Sequence, residues 1–303
     1  MTVRATIIFS FLLALSLQAR AVDRSQLTPL PLPNLSAMED ATRRRLETLQ
    51  GRVTELETSG SDDALSEAYG TLGTYYIAHH LNDAAEIAFV NAGRLKPGEF
   101  RWPYYLGFIY RIVGKPELER EAYERALEIR PEDIPARLHL AELFLALGEN
   151  EEAYRQFQRV LQLSPIEAAA RGGLGRAASA LGRHEEAVEH FSEALRLQPE
   201  ATIVHYQLAL AYRRLGDMEA ARAHLEQRGD KEIGFADPLL GAIEPLKREN
   251  IVEVVIEMAA DSEEHDDRSF GLFAASYLGN SPDAIDRIHE AAEALRKEAA
   301  GLD

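Results

Sequence analysis

The residues best suited to chemistry are few and scattered along the chain. His184, Glu185, Glu186 and His190 are metal-ligand types, but at about 100° per residue two positions six apart on a helix lie about 240° apart around its axis. The imidazoles therefore face apart, and no shared metal is expected. His79-His80 reads as a helix end where imidazole meets free carbonyls. Asp261, Glu263, Glu264, His265, Asp266 and Asp267 lack the glycine-centred spacing of a calcium loop and read as a solvated connection. Arg171-Gly172-Gly173-Leu174-Gly175 is rich in glycine like a nucleotide loop, yet falls inside a helical period. It would form a smooth helix face, open to close approach by a neighbouring helix or a ligand.

The motifs of common catalysts are missing. The sequence holds no G-x-S-x-G elbow, no phosphate loop, no H-E-x-x-H zinc helix and no EF-hand pattern. It has no cysteine, which removes thiolate catalysis, cysteine-ligated zinc, disulfides and a lipid-bearing cysteine together. An enzyme and a cofactor are both unexpected. The formal charge of −17 opposes direct nucleic-acid binding, which needs a basic face. With 46% hydrophobic and 27% charged residues over 303, the chain has the composition of an ordered soluble protein.

The elements that would position any site come from a repeat. Pro97, Pro131, Pro165 and Pro199 recur every 34 residues. With position 1 of a unit set at Ser66, Phe100, Ile134, Ala168 and Thr202, the other positions align without an insertion. Position 7 is Leu72, Leu106, Leu140, Leu174 and Leu208, while position 8 is Gly73, Gly107, Ala141, Gly175 and Ala209. Position 24 is Phe89, Tyr123, Phe157, Phe191 and Leu225, and position 20 is Ala85, Glu119, Ala153, Ala187 and Ala221. Large residues fill the space between two antiparallel helices, and small ones let the backbones approach. Gly114, Gly148, Gly182 and Gly216 at position 15 mark the turn between helices. Proline at position 32 stops the second helix.

This pattern resembles the tetratricopeptide repeat family, and the run GRHEEAVEHFSEALRLQP from Gly182 to Pro199 is close to its second-helix consensus. The resemblance implies an all-α fold, a right-handed α-solenoid of antiparallel helix pairs, over residues 66–232. Departures are Glu119 where alanine is expected, Ala178 where an aromatic is expected, and Arg228 with Gly229 at the end of unit five, where the second helix should be short or irregular.

The flanks have their own signals. Arg4, an apolar run from Ala5 to Leu17 and Ala19-Arg20-Ala21 read as a signal peptide over 1–21, cleaved before Val22. The run would reach only about 20 Å, short of a hydrocarbon core of about 30 Å, so no membrane span is expected after cleavage. The expected location is periplasmic or secreted. Residues 22–35 read as a proline-rich linker. An N-terminal helix is expected over 36–60, with Ser36 as N-cap, covering the first repeat. Residues 233–303 read as degenerate C-terminal helix pairs, beginning with Asp237 as cap and Pro238 in the first turn.

A partner would sit on the inner face of the first helices. In proteins with this repeat that face is concave, and here it would present Arg101, Tyr104, Phe108 and Arg111 from unit two and Leu138 and Glu142 from unit three. Units four and five would add Arg176, Ile203, Tyr206, Leu210, Arg213 and Arg214. Aromatics and arginines are enriched at binding hot spots, and such a face suits an acidic or carboxyl-terminal peptide. The alternative is that the aromatics pack between helices and the arginines pair with glutamates. The chaperone-binding clamp of the family is absent, since its positions hold Gly70, Thr74, Tyr105, Pro135 and His139. The expected function is a protein-interaction scaffold of the cell envelope. The alternative is a non-catalytic accessory subunit that contributes substrate affinity to an envelope enzyme.

Overall fold

The computed structural model describes residues 23–36 and 38–246, and among them all regular structure is helical. The first helix is α1 (Asp40–Ser59), after which five antiparallel pairs follow in chain order. They are α2 (Asp62–Ala78) with α3 (Asn82–Leu95), α4 (Arg101–Ile112) with α5 (Pro116–Ile129), and α6 (Ile134–Ala146) with α7 (Asn150–Leu163). Next come α8 (Ala168–Ala180) with α9 (His184–Leu197), and α10 (Ile203–Leu215) with α11 (Met218–Glu226). Each pair packs on the next, and α8 touches both α6 and α10 along the inner face. The result is an α-solenoid.

The close approach within a pair is visible at position 8. A Cβ at Gly73 would lie 2.7 Å from the Phe89 ring, at Gly107 2.8 Å from Tyr123, and at Gly175 2.5 Å from Phe191. Each of these three glycines thus lies directly beneath the position-24 ring of its own unit. The four turn glycines all adopt the left-handed conformation, with φ between 68° and 83°, a region costly for a residue with a Cβ. In unit one the same position is His80, which takes φ 60°. Ser61, Asp133 and Asp217 cap α2, α6 and α11 by accepting a hydrogen bond from the third residue on.

Both flanks differ from the sequence expectation. The N-terminal helix starts at Asp40 rather than Ser36, and Glu39 at its cap makes no side-chain cap bond. The Ser36 amide instead donates to Asn34 Oδ1 in a turn before it. The helix does cover the first repeat, with Gln50 donating to the Tyr76 hydroxyl and Glu57 accepting from Tyr69. The proline-rich stretch is docked, not free. Asn91, fully buried, accepts from the Thr28 amide and donates to the Thr28 carbonyl, while Arg24 reaches the carbonyls of Leu56, Glu57 and Gly60 at the end of α1.

After α11, shortened to Met218–Glu226, residues 233–246 do not stack as a sixth pair. They run as an extended segment ending in α12 (Pro238–Gly241) and one further helical turn at 243–246. Gly229, Gly234 and Pro238 keep the segment from continuing as helix. The remaining residues expected as C-terminal pairs, 247–303, and the signal peptide at 1–21 lie outside the described residues.

Glu119 stands where the other four units have alanine, is only 5% exposed, and burial pushes its carboxyl up to about 7. The unfolded chain releases this proton near the ordinary value of 4.5, so folding stability is lost as pH rises from there through about 7. Glu119→Ala is therefore expected to raise the melting temperature clearly at pH 8 and less at pH 5, read by calorimetry at both pH values.

Candidate functional site

The concave face is occupied by the chain itself. Beyond Glu226 the chain turns back at Gly229, where a Cβ would lie 2.2 Å from Thr202 Oγ1. There the Gly229 amide donates to the Thr202 carbonyl, and the Ile203 amide donates to the Lys231 carbonyl. The strap that follows crosses the first helices from unit five towards unit one. Ile233, Phe235, Asp237 and Leu239 are half-buried, whereas residues 232, 234, 236 and 238 are exposed, the period of two of an extended peptide with one face down.

Each inward residue has a receptor. Ile233 reaches Gly172, where a Cβ would stand 2.2 Å from its Cδ1. The smooth face of unit four is thus divided, because Gly173 and Gly175 lie under the rings of Phe157 and Phe191. Phe235 meets the His139 ring edge-on at 5.3 Å. The Leu239 carbonyl accepts from the Tyr105 hydroxyl at 3.4 Å. Leu240 and Ile243 line a small pocket with Ile77, His80, Phe108 and Ile112.

Asp237 is the polar centre of the strap. Its Oδ2 accepts from the Tyr104 hydroxyl at 2.5 Å and from His139 Nε2 at 2.9 Å, while Oδ1 caps α12 through the Leu240 amide at 3.0 Å. Arg111 Nη1 lies 2.7 Å from His139 Nδ1. A guanidinium can only donate, so Nδ1 must accept and the proton sits on Nε2, directed at Asp237. Burial lowers the His139 pKa, more than the Asp237 hydrogen bond raises it, which favours this neutral ring. Burial works to raise Asp237, but the bonds from His139, the Leu240 amide and Tyr104 leave its carboxyl below the usual value. Burial and Asp237 together push the Tyr104 hydroxyl far up. The arrangement is a neutral-donor cradle for one carboxylate.

The residues expected to line an open groove divide three ways. Tyr104, Phe108, Arg111 and Leu138 lie under or beside the strap, with Tyr104 and Leu138 1% and 0% exposed. Over units two to four the face is therefore covered, because the apolar side chains of 233–243 find their burial there. Arg101 bonds to Glu99 and Glu67, and Arg176 pairs with Glu142, which is the arginine–glutamate pairing weighed as the alternative. Between the strap and α6, α8 and α10 a cavity of about 380 Å³ remains, lined by Arg111, Glu142, Arg176, Ile203, Gln207 and Phe235 among others. Beyond it, Arg176, Gln207, Leu210, Arg213 and Arg214 border an open depression of about 580 Å³ that also meets His184. Tyr206 stands exposed nearby on α10.

His139, Gln207 and the strap residues were not singled out as site residues by sequence. The one available signal was the alternation Ile233-x-Phe235-x-Asp237-Pro238-Leu239 following the last repeat. His184 and His190 are not brought together, since His190 sits beside Glu186 at 3.6 Å and the Tyr154 ring. Among the described residues no cluster of histidine and acidic side chains has metal-site form.

Family models described as tetratricopeptide repeat match residues 104–133, 138–202 and 174–230. Residues 104–230 are tetratricopeptide repeats. The repeat array shares its fold with YrrB, described as a TPR protein with an unusual peptide-binding site, at TM-score 0.52 and 18% identity over 59% of this chain and 91% of that one. MamA from Desulfovibrio magneticus RS-1 aligns at TM-score 0.51 and 18% identity over 61% of this chain and 96% of that one. A second MamA structure aligns at 0.51 and 20% over 54% and 88%. No curated protein matches the chain.

The cradle makes a quantitative prediction for the repeat protein. Removing His139 leaves a half-buried carboxylate short of a donor, a loss of about 1–3 kcal/mol. His139→Ala and Asp237→Ala should therefore be strongly non-additive in a double-mutant cycle, with a coupling of about 1 kcal/mol or more, measured by urea unfolding.

Proposed function

We propose that this repeat protein is a non-catalytic interaction scaffold whose concave face binds a peptide or protein segment, with the open depression over units four and five receiving an acidic or carboxyl-terminal peptide. The observation that carries this reading is the state of Arg213 and Arg214. Both are exposed on the inner side of α10 and neither has an ion pair or hydrogen bond among the described residues, although the chain as a whole is strongly acidic. Elsewhere on this face Arg101 and Arg176 are already engaged by glutamate and Arg111 by His139. Two unpaired guanidinium forks beside the apolar Leu210 and Tyr206 suit a carboxylate with a hydrophobic neighbour. The peptide-binding description of YrrB, which shares the fold, supports the same use of the array.

We also place the protein in the periplasm or outside the cell, on the strength of the basic, apolar and small-residue succession of residues 1–21. Protein recovered from such a compartment should begin at Val22 by N-terminal sequencing.

The binding reading is tested with a fluorescein-labelled acidic peptide bearing a free terminal carboxylate. Its affinity should fall at least tenfold in Arg213→Glu/Arg214→Glu, with unchanged helical circular dichroism, and should weaken steeply with salt. Undiminished binding to the double variant would refute it.

A further inference from the structure

We propose that the floor beneath the strap is a second peptide-binding surface, for a partner segment with the chemistry of residues 233–240, which the strap occupies as an internal competitor. That chemistry is an extended stretch with alternate apolar residues, then an aspartate, a proline and two leucines that begin a helical turn. The inference rests on the reading of the chain as an interaction scaffold and adds what this part of the face recognises.

The floor is built for more than apolar cover. Tyr104 and His139, both nearly buried, aim a hydroxyl and an N–H at one carboxylate oxygen, and Arg111 fixes the tautomer that allows it. A segment needed only to close the array and cap α12 could use a serine or an asparagine at this point and avoid desolvating a charge. Gly172 leaves a pit that takes the end of a branched aliphatic side chain, and Tyr105 offers its hydroxyl to a backbone carbonyl. Together these select side chains on alternate residues and a carboxylate at a set distance, the way extended peptides are read.

The strap is also seated as a ligand is. Every second residue from 232 to 238 faces outward, and only Ile243 is fully buried. Between Phe235 and Asp237 the strap makes no backbone hydrogen bond to the floor, its bonds there being side-chain ones, while its backbone is tied near Thr202, Ile203 and Gln198. The cavity of about 380 Å³ beside Ile233 and Phe235 leaves a foothold for an incoming chain, and Gln207 Oε1 at its wall has no hydrogen-bond partner. A tethered segment competes at an effective concentration of roughly millimolar. The apparent affinity of a free segment is therefore the intrinsic affinity multiplied by the unstrapped fraction.

The experiment uses the full chain and a fluorescein-labelled synthetic peptide, GDKEIGFADPLLGAIEPL, the sequence of residues 229–246. Its affinity is measured by fluorescence anisotropy against the unaltered chain, against Phe235→Ala/Asp237→Ala, and against that variant carrying His139→Ala as well. The proposal expects at least tenfold tighter binding to the first variant and a loss of at least tenfold on adding His139→Ala, with helical circular dichroism unchanged throughout. Equal binding to the unaltered and unstrapped chains overturns it, as does absence of binding to an unstrapped chain that keeps its helix content. Loss of helix content in Phe235→Ala/Asp237→Ala makes the strap part of the fold and overturns it too. If the unstrapped chain still takes the acidic probe but not this peptide, the internal-ligand proposal falls alone. If it takes neither, the scaffold reading falls with it.

Discussion

In units one, two and four the distance between the two helices is set by a ring resting on a glycine, with alanine in that place in units three and five. The geometry of the array follows from these small residues. At Gly73, Gly107 and Gly175 a methyl group would overlap the ring of Phe89, Tyr123 and Phe191 by far more than packing tolerates. The glycines weaken their helices by about 1 kcal/mol each. The gain is a fixed spacing that recurs from unit to unit, so that the first helices line up and their inner residues form a continuous surface. Unit four adds Gly173 under Phe157 of unit three, and Gly172 beside it leaves the face open enough to receive Ile233.

That surface is used unevenly. Over units two to four it is met by a strap whose one inward carboxylate is held by neutral donors, while a guanidinium one step further out orients the imidazole. Charge is thereby kept local. An ionised aspartate is stabilised without a salt bridge to an arginine, and among the described residues Arg213 and Arg214 of unit five have no ion partner. The same concave face thus carries two electrostatic environments, one already neutralised by the chain and one still positive.

Much of this was legible in the sequence. The 34-residue register located the small and aromatic positions that meet in space, and position 15 located all four left-handed turn glycines. His80, at the same position in unit one, escaped this reading because the rule was written in glycines. Ser36 was misjudged as a cap because the turn at Asn34 competes for its amide. The strap was the main omission. Local pattern could mark Asp237 as a cap, which it is, but its other oxygen is committed to residues about a hundred positions away. Nothing in the spacing of the strap residues names Tyr104 or His139 as partners, since that contact depends on the curvature of the stacked helices. The arginine pairs were equally ambiguous, because composition places Arg176 and Glu142 on one face without saying that they neutralise each other.

The strap also alters how the molecule should come apart. A solenoid held only by neighbouring units behaves as a one-dimensional array, in which end units fray separately and folding begins anywhere. Here Tyr104 bonds to Asp237 across 133 residues of chain, and Ile243 belongs to the same hydrophobic cluster as Leu46 of α1. The last repeat is thereby tethered to the first. Such long closures slow folding, and they make loss of the units behind the strap conditional on its release, converting a row of semi-independent modules into a single cooperative body.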